Sequence, residues 1–223
     1  VDEAVDRVRR ARGAHGRVAG IVFDSSTRDE ASFGDALARA EDALGAPLDA
    51  LVNNAGVNAG RSIPGTGMED FDLVIGTNLR GAYFLSQAFA RRMVESGARG
   101  NILNVCSSSS LRPATNPYTV SKWGLRGLTE GLAKLLIPYD IVVNGIAPGP
   151  TATPMMVSEE DAGNYDFAEV PAGRYAAPEE VANMAVVLVS DLARMVVGDV
   201  VYITGGCGNL TFDDIGYPFP LEG

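Results

Sequence analysis

Two periodicities alternate along the chain. Short apolar or β-branched runs at 17–23 (RVAGIVF), 48–54 (LDALVNN), 101–105 (NILNV), 140–146 (DIVVNGI) and 199–205 (DVVYITG) have the length and composition of buried strands. Between them lie stretches with helical spacing. Residues 30–43 carry Phe33, Ala36, Leu37 and Ala40, and 68–96 carry Phe71, Val74, Leu79, Phe84, Phe89 and Met93. Residues 117–136 form a third such stretch, and 178–192 place Val181, Met184, Ala185 and Leu188 on one stripe. Pro178 followed by Glu179 and Glu180 suits a helix opening, with proline in the first turn and acids at the positive end of the dipole. Strand–helix alternation of this kind predicts an α/β fold, a doubly wound parallel sheet with right-handed crossovers and helices on both faces. No repeat, low-complexity tract or Pro/Ser linker interrupts it, so residues 1–223 are expected to form one domain.

Open sheets of this class take ligands beyond the carboxyl ends of their strands. Small and polar residues gather at those points: Asn53-Asn54-Ala55-Gly56, then Cys106 and Ser107 to Ser110, then Pro148 to Thr153, then Gly205-Gly206. Such residues let a ligand come close to the backbone.

Composition removes several classes of function. The net charge of −10 and pI of about 4.6 disfavour nucleic acid, whose phosphates require excess Lys and Arg. No basic patch suits a membrane surface, and no apolar run approaches the roughly 20 residues of a spanning helix. The opening VDEAVDRVRR is not a signal peptide. A soluble cytoplasmic protein is expected. Cys106 and Cys207 have no disulfide-framework or metal spacing, and the one histidine, His15, reads as a solvated loop residue. No metal site is expected, and acid–base chemistry must use another side chain.

Tyr118-Thr119-Val120-Ser121-Lys122 opens the third helical stretch, and i,i+4 spacing puts phenol and ammonium on one face. An adjacent ammonium favours phenolate, so such a pair could exchange a proton near neutral pH. The bland alternative is an interfacial tyrosine with a solvated lysine, and alone the motif does not exclude it. Its company does. NNAG (53–56), Asn78 in GTNLRG, a serine cluster after a strand, YxxxK and PGxxxT (148–153) stand in an order that resembles the classical short-chain dehydrogenase/reductase family over nearly the whole chain.

The resemblance implies a Rossmann-like sheet, NAD or NADP as cofactor, and interconversion of a secondary alcohol and a ketone. It makes Tyr118 the acid/base and Lys122 the residue that lowers its pKa and binds the nicotinamide ribose. A serine would bond the substrate carbonyl, Ser107 by alignment with Ser108 an alternative, and Asn78 would hold a water linking Lys122 to solvent. Ser109 and Ser110 read as hydrated loop, and Cys106 as a small packed side chain. On the cofactor side it points to Asp24 and Ser25, Asn53, Ala55 and Gly56, Pro148 and Gly149, and Thr151 and Thr153. Asp24 reads equally as a turn acid, and Asn53 equally as a tie between neighbouring strands.

One departure stands out. The family's first strand, glycine-rich turn and second strand have no counterpart, and residues 1–12 resemble the helix after the second strand. In the 3-2-1-4-5-6 order those strands separate 17–23 from all the others, so 17–23 is left without a neighbour. The molecule is therefore expected to be longer, with that unit upstream of Val1. Residues 154–175 fall at the family's mobile lid, where Met155, Met156, Tyr165 and Phe167 could close over an apolar substrate while Glu159, Glu160, Asp161, Asp166 and Glu169 stay solvated. The tail after Gly206 is apolar enough to pack on a neighbouring subunit, and Asn209-Leu210-Thr211 is a sequon expected to go unused. Family habit adds a homotetramer or homodimer with 68–96 and 117–136 at the interface, where Trp123 and Leu125 suit interface or core alike. Two other functions stay open: a non-catalytic dinucleotide-binding or scaffolding protein of the same fold, and an epimerase or dehydratase, the latter weakened by the lack of a large C-terminal domain.

Overall fold

The computed structural model describes residues 1–12, 16–60, 62–157 and 165–208. His15, Glu159 to Asp161 and the tail with its sequon lie outside the described residues.

Strands β1 (Ala50–Asn53), β2 (Gly100–Val105), β3 (Ile141–Pro148) and β4 (Val200–Ile203) form one parallel sheet in the order β1-β2-β3-β4. Helices α1 (Asp2–Arg12), α2 (Ala31–Leu44), α3 (Met68–Ile75), α4 (Ala82–Ser96), α5 (Pro117–Leu136) and α6 (Pro178–Val189) fill the connections. Alternate strand residues serve opposite faces. On one face Ile102, Ile141 and Val143 meet Leu37, Phe89, Met93 and Leu136 from α2, α4 and α5. On the other, Leu103 and Ile146 meet Leu188, with Val181 and Met184 of α6 against them. Strand β3 is buried from Ile141 to Ala147, as a central parallel strand covered on both faces must be.

Four of the five expected strands form. The fifth, 17–23, belongs to no ladder, because a strand exists only through hydrogen bonds to a neighbouring strand and it makes none. Other elements hold it instead. Arg9 of α1 donates to Val18 O at 3.2 Å, Arg39 of α2 donates to Val22 O at 3.0 Å, and Phe23 packs edge-on against Phe33.

The expected helix over 68–96 is broken by a π turn, Gly76–Gly81, between α3 and α4. Wide turns of this kind change the direction in which side chains leave a helix. Gly81 is required there: a Cβ would stand 2.5 Å from Ser25 O, so residues 24–26 rest directly on the helix backbone. Helix α5 opens as its sequence dictates, with Asn116 Oδ1 accepting from Thr119 N at 2.8 Å and Pro117 in the first turn. Helix α6 opens on Pro178, and Glu180 reaches back to Ala177 N at 2.8 Å.

Candidate active site

The carboxyl ends of the strands bring the chemistry-bearing residues together. Strand β2 ends at Val105, and the chain passes through Cys106 to Ser107, which begins a tight 3-10 turn, Ser108–Leu111. The Ser107 oxygen accepts from Ser109 N at 3.1 Å, and Ser107 O accepts from the Ser110 hydroxyl at 2.8 Å. Ser108 and Ser110 are buried, which corrects the hydrated-loop reading of Ser110: its hydroxyl closes the turn. The turn faces the first turn of α5, which brings the Ser107 side chain up to the Tyr118 hydroxyl.

One helical turn further on, Lys122 is 4% exposed. Its Nζ donates to Val105 O at 2.7 Å and lies 5.5 Å from the centroid of the Tyr118 ring. Burial pulls its pKa down to about 8, with the Cys106 thiol opposing. Burial also pushes the Tyr118 hydroxyl above its ordinary value, and the neighbouring Ser107 side chain pulls the other way. The expected lowering of Tyr118 by the ammonium is therefore not what this geometry produces. The ammonium sits over the ring face and is anchored to a backbone carbonyl, while desolvation of the phenol dominates.

Asn78, in the π turn, is fully enclosed. Its Oδ1 accepts from Val57 N at 2.8 Å, and its Nδ2 donates to Val57 O at 2.9 Å and to Ser121 Oγ at 3.2 Å. The side chain thus pins the loop after β1 to α5. Gly56 in that loop lies close to both: a Cβ there would be 3.6 Å from Asn78 Oδ1 and 3.8 Å from Lys122 Nζ.

Beneath the site runs a buried polar chain that motif spacing does not reveal. Asn53 Nδ2 donates to Ser86 Oγ at 2.9 Å and to Asn104 Oδ1 at 2.8 Å, and Asn104 Nδ2 donates to Thr129 Oγ1 at 2.9 Å. Asn53 and Asn104 are register partners of β1 and β2, so the strand-tie reading of Asn53 describes its side chain. The one available signal was an asparagine inside the apolar run NILNV, a polar group that burial obliges to find partners. Cys106 is buried beside this chain and pushed up to about 11 by desolvation, in keeping with a packed thiol.

Around the rim, Asp24 is exposed and its Oδ1 accepts from Ser26 N at 2.9 Å and Ser26 Oγ at 2.7 Å, which matches the turn-acid reading and holds its pKa below the usual range. Ser25 is the residue seated on Gly81. Beyond β3, Gly149 approaches β4's exit so closely that a Cβ would meet Thr204 Cα at 2.8 Å. Thr151 turns its hydroxyl back to Gly149 O at 3.0 Å and pairs with Ala176, while Thr153 O accepts from Met156 N at 2.8 Å. Phe167 stacks on Tyr175 at 4.5 Å, and Met155 and Met156 are exposed. Leu125 lies in the core, while Trp123 is 43% exposed on the outer face of α5. Among the described residues no group of three His, Cys, Asp or Glu could hold a metal, and no helix is long and apolar enough to cross a membrane.

Residues also fit a nicotinamide ribose. An ammonium has three donors, and buried Lys122 uses one on Val105 O, leaving two for a diol. No glycine-rich pyrophosphate turn occurs within residues 1–223.

Residues 1–208 match the protein family described as enoyl-(acyl carrier protein) reductase. Gluconate 5-dehydrogenase of Gluconobacter oxydans is 34% identical over 210 residues, 92% of this chain and 80% of that protein. L-Rhamnose 1-dehydrogenase (NAD(P)(+)) of Azotobacter vinelandii is 40% identical over 193 residues, 83% and 74% of the two chains. Among solved structures, a gluconate 5-dehydrogenase from Burkholderia cenocepacia in complex with NADP and tartrate superposes with a TM-score of 0.77 at 30% identity, covering 92% of this chain and 79% of that one.

Proposed function

The chain belongs to the classical short-chain dehydrogenase/reductase family, and on that premise we propose that it interconverts a secondary alcohol and a ketone with NAD or NADP. The observation that carries this reading is the juxtaposition of the Tyr118 phenol and the Ser107 side chain, with Lys122 buried one turn away at the carboxyl end of β2. Bound nicotinamide supplies or accepts the hydride, which no side chain can.

Each residue then has a part set by its surroundings. Reduction leaves negative charge on the carbonyl oxygen, so Tyr118 gives that oxygen its phenolic proton and Ser107 donates a hydrogen bond to it. In oxidation Tyr118 takes the proton back. A phenol raised by burial holds its proton until the developing alkoxide, a far stronger base, is within reach. Lys122 binds the ribose hydroxyls with its two remaining donors and supplies positive charge beside the phenol. Asn78 holds the Val57 backbone and α5 together, which keeps Lys122 at its station. Both of its amide donors are already committed to protein groups, so any water it holds must donate to Oδ1 or bond its backbone. Ala55, Gly56 and the 24–25 turn suit the adenosine side, and Gly149, Thr151 and Thr153 the carboxamide side.

Relatives named for gluconate, 5-keto-D-gluconate and 3-oxoacyl carrier-protein substrates define the panel to try. The test is a fluorescence titration of the intact protein with NADH and NADPH, followed by turnover of ketones, 3-oxoacyl thioesters and keto-sugars. Binding of one cofactor and turnover of one carbonyl is expected. Binding of neither would favour the scaffolding role. A cytoplasmic homotetramer or homodimer is proposed as its working form, because Tyr83, Val94, Trp123 and Leu135 leave apolar surface on the outer sides of α4 and α5. Light scattering on eluted protein would show a monomer if that is wrong.

A further inference from the structure

At the mouth of the site stands a guanidinium with no carboxylate partner among the described residues. Arg112 ends the 3-10 turn that Ser107 begins, and its N donates to Ser109 O at 3.1 Å. Its Nη2 donates to Cys207 Sγ at 3.0 Å, and its backbone O accepts from Trp123 Nε1 at 2.8 Å. Cys207 follows β4, with its N on Thr204 O at 3.1 Å, and Thr204 is the residue against which Gly149 packs. The Arg112 head therefore lies between the serine turn and the exits of β3 and β4, at the carboxyl end of the sheet.

A thiol is a weak acceptor, so this contact orients the guanidinium without neutralising it. Arg28, Arg99 and Arg174 each sit on a carboxylate, and Arg39 and Arg80 on backbone carbonyls. A protein of net charge −10 has no shortage of acids to pair with Arg112, yet its side chain is exposed and held on sulfur. A planar fork of donors kept in one place beside a reactive centre suits a bidentate anion.

We propose that Arg112 determines substrate specificity by receiving a carboxylate, so that the alcohol or ketone this protein takes is a hydroxy acid or keto acid. The proposal rests on the oxidoreductase reading above. The carboxylate end binds Arg112 while the carbonyl end meets Ser107 and Tyr118, and Cys207 keeps the guanidinium from swinging into solvent.

The test uses matched pairs in which only the anion differs: gluconate against glucitol, 3-hydroxybutyrate against 2-butanol, and 4-oxopentanoate against 2-pentanone, each with both cofactors. At least one acid is expected to show kcat/KM tenfold or more above its neutral partner. Arg112→Gln should erase that preference, bringing kcat/KM of the acid down to that of its neutral partner through KM, and Arg112→Lys should retain part of it. Both variants keep the backbone bond to Trp123, and unchanged melting temperatures would show that the turn is intact. The inference fails if the preferred substrate is neutral, if no acid is used, or if preference survives Arg112→Gln. Failure of the oxidoreductase reading looks different: no substrate of either kind turns over, and Tyr118→Phe changes nothing.

Discussion

Lys122 shows how a single side chain can serve chemistry at the expense of stability. Its folded pKa of about 8 lies below the ordinary 10.5, so between these values the unfolded chain binds more protons than the folded one. Stability from this group therefore rises as pH climbs from about 8 to 10.5, and the penalty is full below that window. Lys122→Met should raise stability by about 1–3 kcal/mol at pH 7, with the gain shrinking toward zero near pH 10.5. Denaturant titrations at several pH values measure it; a gain that grows with pH would contradict the assignment. Tyr118→Phe keeps the packing and removes the proton, and turnover should fall about 10²- to 10⁴-fold with the melting temperature unmoved. That Tyr118, Lys122 and Ser107 come together was legible in the sequence, because i,i+4 spacing at the start of one helix and a serine at the end of a strand place them at the same end of the sheet. The fine electrostatics were not. Spacing placed the ammonium beside the phenol, whereas only coordinates show it anchored to Val105 O with desolvation prevailing at Tyr118.

Among the elements, two helix-associated glycines separate strain from slack. A Cβ on Gly81 would meet Ser25 O, a backbone atom, at 2.5 Å; on Gly124 it would meet Leu79 Cδ2, the end of a rotatable side chain, at 2.7 Å. Gly81→Ala is expected to destabilise by about 1–3 kcal/mol. Gly124→Ala should stay within about 1 kcal/mol of the parent, since helix propensity favours alanine and Leu79 can turn aside. Thermal melts of the pair decide it. Periodicity located α2, α4, α5 and α6 because amphipathic stripes record burial directly. It overcalled 17–23, whose β-branched composition suits a strand but whose pairing depends on partners that composition does not encode. It also ran straight through the π turn, since the stripe resumes on either side of it.

Across the whole molecule, the segment beyond β3 is fastened to the sheet by a few clasps. Ala172 N donates to Gly205 O at 3.0 Å, and Arg174 holds Glu180 through two bonds of 2.8 Å while Glu180 caps α6. The Arg174 guanidinium and the Ala177 N–H take the Glu180 carboxyl to about 2. That clasp is complete above the ordinary carboxylate value of 4.5 and is lost as pH falls toward 2. Glu180→Gln should reduce hydrogen-exchange protection at Phe167 and Tyr175 at neutral pH, and unchanged protection would show that other contacts hold the segment. The π turn has a different reach. It is a spacer of one residue, and removing that residue would restore regular α-helical winding. Because the turn takes up its extra residue locally, α4 would then keep Phe89 and Met93 on the sheet. A single-codon deletion between Gly76 and Gly81 would thus uncouple Asn78 from its loop while sparing the core helix, which makes chain length at this point as constrained as residue identity.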